Sequence, residues 1–316
     1  MALSSIKWPF ARFKFIFTAT EEMHFPQYSG SMIRGAFGHA LRKTACMTKE
    51  KDCKLCPLYE SCAYSRIFET PPPSDLKLQS FSQVPNGFVI EPFEWGEKHV
   101  SVGENVEFEL VLFGRVINDL ALIIHSFSNA FKRGIAHHSQ GLLKTVFVEE
   151  NGNYREIYNP NVKTITGASK IESFEKNVII NKVEDNKLKL TFTTPLRLQK
   201  QGKILTADDL DARTLIVALA RRIDLVLKIH ANIDLQLDFK KIIADTENVT
   251  VTKNLKWAHW VRHSARQKQL MALDGVVGDI ELSNLSEDLT YILQIGRWTH
   301  VGKNGTFGLG KYIISK

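Results

Sequence analysis

A chain of 316 residues, 44% hydrophobic and 24% charged, is long enough to bury two ordinary cores and too mixed in composition to be disordered or fibrous. No apolar run approaches the roughly 18 residues that span a bilayer, and Arg12 and Lys14 break the N-terminal stretch IKWPFARFKFIF, unlike a signal peptide, so a cytoplasmic protein with no membrane partner is expected. Lysine and arginine number 41 against 34 acids, a formal charge of +7 that favours a polyanionic partner such as nucleic acid.

Phe13, Phe15 and Phe17 alternate with Lys14 and Ile16, the period of a strand with one aromatic face. After a loop through Pro26, YSGSMIRGAFGHALRKTAC predicts a helix capped near Ser29 or Ser31. Ile33, Phe37, Ala40, Leu41 and Thr44 make its buried stripe. His39, Arg42 and Lys43 then share the opposite face, because residues three and four apart are neighbours on a helix.

All four cysteines follow within one segment, as Cys46, Cys53, Cys56 and Cys62, spaced C-x6-C-x2-C-x5-C. Four thiolates in a reducing compartment suit a tetrahedral zinc ion, and an iron–sulfur cluster uses the same ligands. Free thiols and disulfides are the other readings. A four-thiolate zinc has no open coordination position, so the metal is expected to staple an insertion, about residues 45–70, and to take no part in catalysis.

Beyond the insertion a proline-rich stretch from Phe68 to Trp95 reads as extended, Val106–Phe113 as a strand, and Asn118–Lys132 as a helix. RGIAHHSQGLLKTVFVEE gives a loop, with His137 and His138, and another strand. The order strand, helix, two strands, helix, strand is the ferredoxin-like unit. The second half repeats it loosely. NKLKLTFTTPLRL is a strand interrupted at Pro195, and a long helix follows, opened by a Thr206 cap with Asp209 three residues on. VTVTKNLKWAHWVRHSARQ and GVVGDIELSNLS read as a hairpin, LSEDLTYILQIGRWTHV as a helix and the tail as a last strand. The expected fold is α+β, with two tandem ferredoxin-like (βαββαβ) domains, 1–160 carrying the cysteine insertion and 161–316 ending in a glycine-rich loop.

That loop, GKNGTFGLGKY, holds Gly302, Gly305, Gly308 and Gly310. Glycine allows φ > 0 and close backbone approach, so its N–H groups can face an anion; a tight turn into the last strand is the plainer reading. The order differs from a Walker loop, in which Gly-Lys-Ser/Thr directly precedes a helix, and no helix fits after Gly310 to complete a dinucleotide fingerprint.

SMIRGAFGHALR and CPLYESCAYSRIFET early, TPLRL in the middle, then WVRHSARQ, GDIEL and HVGKNGTFGLGKY late, together resemble the CRISPR precursor-RNA-processing endoribonucleases of the RAMP superfamily. The resemblance spreads over nearly the whole chain and is weakest from about 145 to 185. It implies that CRISPR repeat RNA is the partner and is cut once per repeat without a metal, the ribose 2′-hydroxyl attacking its own phosphate to leave a 2′,3′-cyclic phosphate and a 5′-hydroxyl. CRISPR effector subunits are further partners it suggests. His39 matches the family's catalytic histidine on the first helix, with Tyr28 and Lys43 as further catalytic candidates and Arg42 as a phosphate contact. The resemblance also implies RNA contacts by Arg262, Arg266, His300, Lys303, Gly305, Gly308 and Gly310; Phe307 is read first as core and second as a base-stacking group. Relatives commonly carry tyrosine where this chain has His263, which leaves that side chain without an assigned role. The alternative is a non-catalytic RAMP subunit that holds guide RNA, and His39 speaks against it. A metal-dependent nuclease would need paired carboxylates at a strand end; Asp208-Asp209 and Glu21-Glu22 fit capping or surface roles better.

Overall fold

The computed structural model describes residues 3, 6–72, 84–93, 96–135, 139–166, 178, 180, 181, 183–264 and 269–315. The elements in chain order are β1 (Phe10–Ala19), β2 (Met23–Phe25), α1 (Gly30–Ala45), α2 (Ala63–Phe68), β3 (Phe88–Glu91), β4 (Lys98–Val100), β5 (Asn105–Phe113), α3 (Leu120–Arg133), β6 (Gly141–Glu150) and β7 (Asn153–Tyr158). They continue with β8 (Leu188–Leu196), β9 (Gln199–Lys200), β10 (Lys203–Ile204), α4 (Ala212–Ala231), α5 (Phe239–Glu247), β11 (Thr250–Ala258), β12 (Val261–Ser264), β13 (Gln269–Ala272), β14 (Gly275–Ser283), α6 (Glu287–Thr299) and β15 (Tyr312–Ser315). The chain divides into two compact units, one of residues 7–179 with 225–233, the other of 1–6, 180–224 and 234–316, so the division after 179 falls later than the expected 160/161.

In the first unit an antiparallel sheet runs in the order β3-β5-β1-β6-β7. The β1 alternation sends Phe13, Phe15 and Phe17 into one core, each fully buried. There Phe15 stacks on Phe108 of β5 with centroids 5.3 Å apart, Phe17 on Phe131 of α3 at 3.7 Å, and Phe37 of α1 on Phe127 of α3 at 4.3 Å. Removing each such ring from water contributes roughly 2–3 kcal/mol, which fixes α1 and α3 against one sheet face. On the other face Arg12 crosses three strands, meeting Glu91 of β3 at 3.2 Å, Glu109 of β5 at 3.8 Å and Glu149 of β6 at 2.7 Å. Ile33, Phe37, Ala40 and Leu41 are buried as the helical period requires; Thr44 is exposed, its hydroxyl turned back to the Ala40 carbonyl.

The second unit has an antiparallel sheet in the order β11-β14-β8-β15. Two sequence expectations need correction here. Strand β8 passes through Pro195 to Leu196, and the missing N–H falls where the β14 register shifts between Val276 and Gly278. Helix α4 begins at Ala212, so its cap is Asp211, whose carboxylate accepts from the Thr214 amide at 2.6 Å; Thr206 and Asp209 instead close a turn upstream. Ser286 caps α6, accepting from the Leu289 amide. Among the described residues no helix is long and apolar enough to cross a membrane.

Candidate functional site

Burying one stripe of α1 leaves His39 and Lys43 in solvent. His39, Arg42, Lys43, Cys46, Lys49 and Lys51 line one open depression beside the end of the helix. The Arg42 guanidinium donates to the carbonyls of Glu50, at 2.5 Å, and Lys51, at 3.1 Å, which folds the chain after Cys46 back toward the helix. Lys49 and Lys51 thereby join His39 and Lys43. A histidine among four cations suits a polyanion, since the ring can exchange a proton near neutral pH while the cations hold negative charge. Neither Lys49 nor Lys51 was among the residues singled out by sequence. The signal was the charge density of TKEKDCK, but only Arg42's bonds to that loop place it at the site.

Other candidates fall elsewhere. Tyr28 is buried, and burial, aided by the charge of Glu91, pushes its hydroxyl well above the usual tyrosine range, so it stays protonated and out of reach of RNA. Arg42, expected on a phosphate, is half-buried and committed to the loop carbonyls. Arg262 and His263 lie in β12, paired through the backbone with Met271 and Leu270, their side chains outside the described residues. Arg266, His137 and His138 lie outside the described residues altogether.

The four cysteines are free thiols that line one small cavity with Met47, Thr48, Glu50, Leu58, Tyr64 and Ser65. Cys56 Sγ lies 3.2 Å from the Thr48 hydroxyl, and burial, with Glu69 nearby, pushes the Cys53 thiol up to about 11. Among the described residues no group of three or more His, Cys, Asp or Glu side chains is disposed to hold a metal ion, so the thiols as placed do not fit the expected zinc.

The glycine-rich loop joins α6 to β15. Gly302, Gly308 and Gly310 all have positive φ, and Asn304 sits in the left-handed region at 64°. Its hydrogen bonds run to the end of β8 and just beyond: Lys303 N–H to Arg197 O at 2.9 Å, Gly310 N–H to Pro195 O at 3.0 Å, and the Thr194 hydroxyl to Gly308 O at 2.8 Å. Gly305, Gly308 and Gly310 are buried, as are Phe307 and His300. His300 ends α6 at φ 57°, its ring facing the Leu309 carbonyl at 3.3 Å. These glycines and His300 pack the loop against the end of β8 and α6, and the residues of the loop that reach solvent are others. Lys303 is exposed, and Gly302, Asn304 and Thr306 are half-exposed. Beneath the loop lies Arg222 of α4, unmarked by any sequence signal, half-buried and donating through Nε to the Thr299 carbonyl at 2.7 Å.

Residues 8–170 match a family described as an N-terminal domain, and residues 190–312 match the family of CRISPR-associated endoribonuclease Cas6. Residues 190–312 therefore form a Cas6 family domain. Solved structures with the same fold include a Cas6 product complex at 14% identity and TM-score 0.56, with 97% of this chain and 100% of that one covered. Cas6 of Thermus thermophilus gives 14% identity and TM-score 0.54, with 97% and 98% covered. A chain of a partial Cas6-RT-Cas1–Cas2 complex gives 12% and 0.59, with 97% of this chain covering 46% of that longer one. No curated protein matches in sequence. Two features stand beside that match: the histidine on the exposed face of α1 and the loop clamped between α6 and β15.

Proposed function

We propose that this Cas6 family chain cuts CRISPR repeat RNA by metal-independent attack of a ribose 2′-hydroxyl on the adjacent phosphate, leaving a 2′,3′-cyclic phosphate and a 5′-hydroxyl. The observation that carries this reading is His39, exposed on α1 and sharing a depression with Arg42, Lys43, Lys49 and Lys51. In the reaction the 2′-oxygen loses a proton as it bonds to phosphorus, and the 5′-oxygen gains one as its bond breaks. His39 is the group placed to carry one of these protons. Lys43, Lys49 and Lys51 supply positive charge where the phosphorane gains negative charge, usually the larger contribution. In the other unit Lys303 would hold the RNA backbone at the exposed rim of the glycine loop. We read both units as ferredoxin-like βαββαβ folds, supported by corresponding strand orders: β3-β5-β1-β6 in one and β11-β14-β8-β15 in the other.

The test is cleavage of labelled repeat RNA in excess EDTA by the parent and by His39→Ala, with a second substrate carrying a 2′-deoxy sugar at the cut. Cleavage that survives EDTA, vanishes with the deoxy sugar and falls at least about tenfold in the variant is expected. Tight binding without cleavage under any condition would instead make the chain a guide-RNA-holding RAMP subunit.

A further inference from the structure

Arg222 stands apart from the other cations of the second unit. It is half-buried with Nη2 itself shut off from solvent; among the described residues its side chain makes the one hydrogen bond from Nε to the last carbonyl of α6, and Nη2 has no hydrogen-bond partner. Burial pushes its guanidinium down to about 10, and among the described residues no carboxylate opposes the shift. The partial negative charge at the end of a helix offsets a buried cation only in part. The unpartnered end points at the glycine-rich loop. A Cβ built on Gly305 would sit 2.6 Å from Nη2 and 3.1 Å from Cζ, so the guanidinium lies directly against the loop at Gly305 and a side chain there would have to displace it. Lys303, Asn304 and Thr306, on either side of Gly305, reach the surface.

We propose that Arg222 is an electrostatic positioning residue for RNA, its uncompensated charge acting through the loop backbone at Gly305 to hold a phosphodiester against the loop's outer face. This rests on the RNA-binding reading above and adds to it a residue that touches no RNA. A partly buried cation with no counter-ion among the described residues destabilises the free protein, and an anion arriving one backbone thickness away relieves it. Gly305 serves the same end by keeping that separation short. A low-dielectric path also leaves the charge less screened by salt than a surface lysine.

The experiment compares the full-length parent, Arg222→Met, Arg222→Lys and Lys303→Ala. It reads thermal stability without RNA and the affinity for labelled single-stranded repeat RNA at low and high salt. Arg222→Met is expected to melt no lower than the parent yet bind RNA about tenfold more weakly. Arg222→Lys should recover most of that affinity. Raising salt should shrink the Lys303→Ala effect more than the Arg222→Met effect. A purely structural Arg222 would lower stability and affinity together in Arg222→Met, and that result overturns the proposal, as does unchanged affinity in Arg222→Met beside a parent that binds. A parent that binds no RNA overturns the RNA-binding reading itself and this inference with it.

Discussion

Gly310→Ala tests whether the loop is clamped by its backbone. Gly310 has φ +72°, and a Cβ there would lie 1.9 Å from the Val301 carbonyl oxygen, 2.9 Å from its carbon and 3.0 Å from its nitrogen. Alanine in the left-handed region costs about 1 kcal/mol. The clash is with backbone, so it must be relieved by moving the chain, which opens Val301 N–H to Gly310 O (3.2 Å) and Gly310 N–H to Pro195 O (3.0 Å). At about 1 kcal/mol for each bond, the total is about 3 kcal/mol before packing losses around Leu309 and Tyr312. Gly202→Ala in the same unit is the control: φ is +83° and a Cβ would meet nothing within 4 Å, so only the conformational cost of about 1 kcal/mol should appear. Urea unfolding followed by tryptophan fluorescence gives both values. Equal losses in the two variants would refute the clamp.

Arg12→Met should cost about 3–5 kcal/mol in the same assay, because it leaves the buried Glu91 carboxylate without its cation. The Asp211 carboxyl is pushed up by burial but pulled further down by the Thr214 amide and hydroxyl, with Lys200 and Arg213 adding to the pull, so its folded value lies below the ordinary 3.8. Its cap therefore stabilises fully above pH 3.8 and is lost as pH falls through the folded value. Asp211→Ala should cost about 1 kcal/mol at pH 7, and the gap from the parent should narrow toward pH 3; a constant gap would show that the carboxylate's charge is immaterial. A structural zinc on Cys46, Cys53, Cys56 and Cys62 is a separate proposal, which needs the thiols to draw together from their present positions. Metal analysis of protein purified without chelator should then give one zinc per chain, with a chelator lowering thermal stability but not cleavage in the folded protein; thiols that all titrate with no metal present would end that idea.

Local periodicity was legible, and remote partnership was not. The β1 alternation fixed which phenylalanines enter the core, and three- and four-residue spacing put His39 and Lys43 on one face of α1, because both follow from the geometry of a single element. Lys49 and Lys51 reach that face only through Arg42's bonds to the intervening loop. Tyr28 and His300 were misplaced for a related reason: each carries a polar tip that looks available in a sequence, and tertiary packing buries both. The glycine loop was legible as a demand for unusual backbone. Its reason lay elsewhere, in the carbonyls of Pro195, Arg197 and Val301 that crowd it.

Two partly buried arginines show why burial alone does not mark a functional cation. Arg12 is nearly buried, yet Glu91, Glu109 and Glu149 raise its guanidinium above the ordinary value, so its charge is held by the sheet and has nothing left to offer a ligand. Arg222 is shifted the other way, down to about 10, which corresponds to roughly 3 kcal/mol against folding at neutral pH. A base whose folded value is depressed carries that penalty at every pH below the folded value and sheds it above, so the free protein should gain stability as pH rises through about 10. Replacing Arg222 by methionine would remove the penalty and give up only one hydrogen bond to Thr299, so stability gives no reason to keep an arginine there. On the proposal above, the charge finds its partner in the RNA-bound state, at the loop over Gly305.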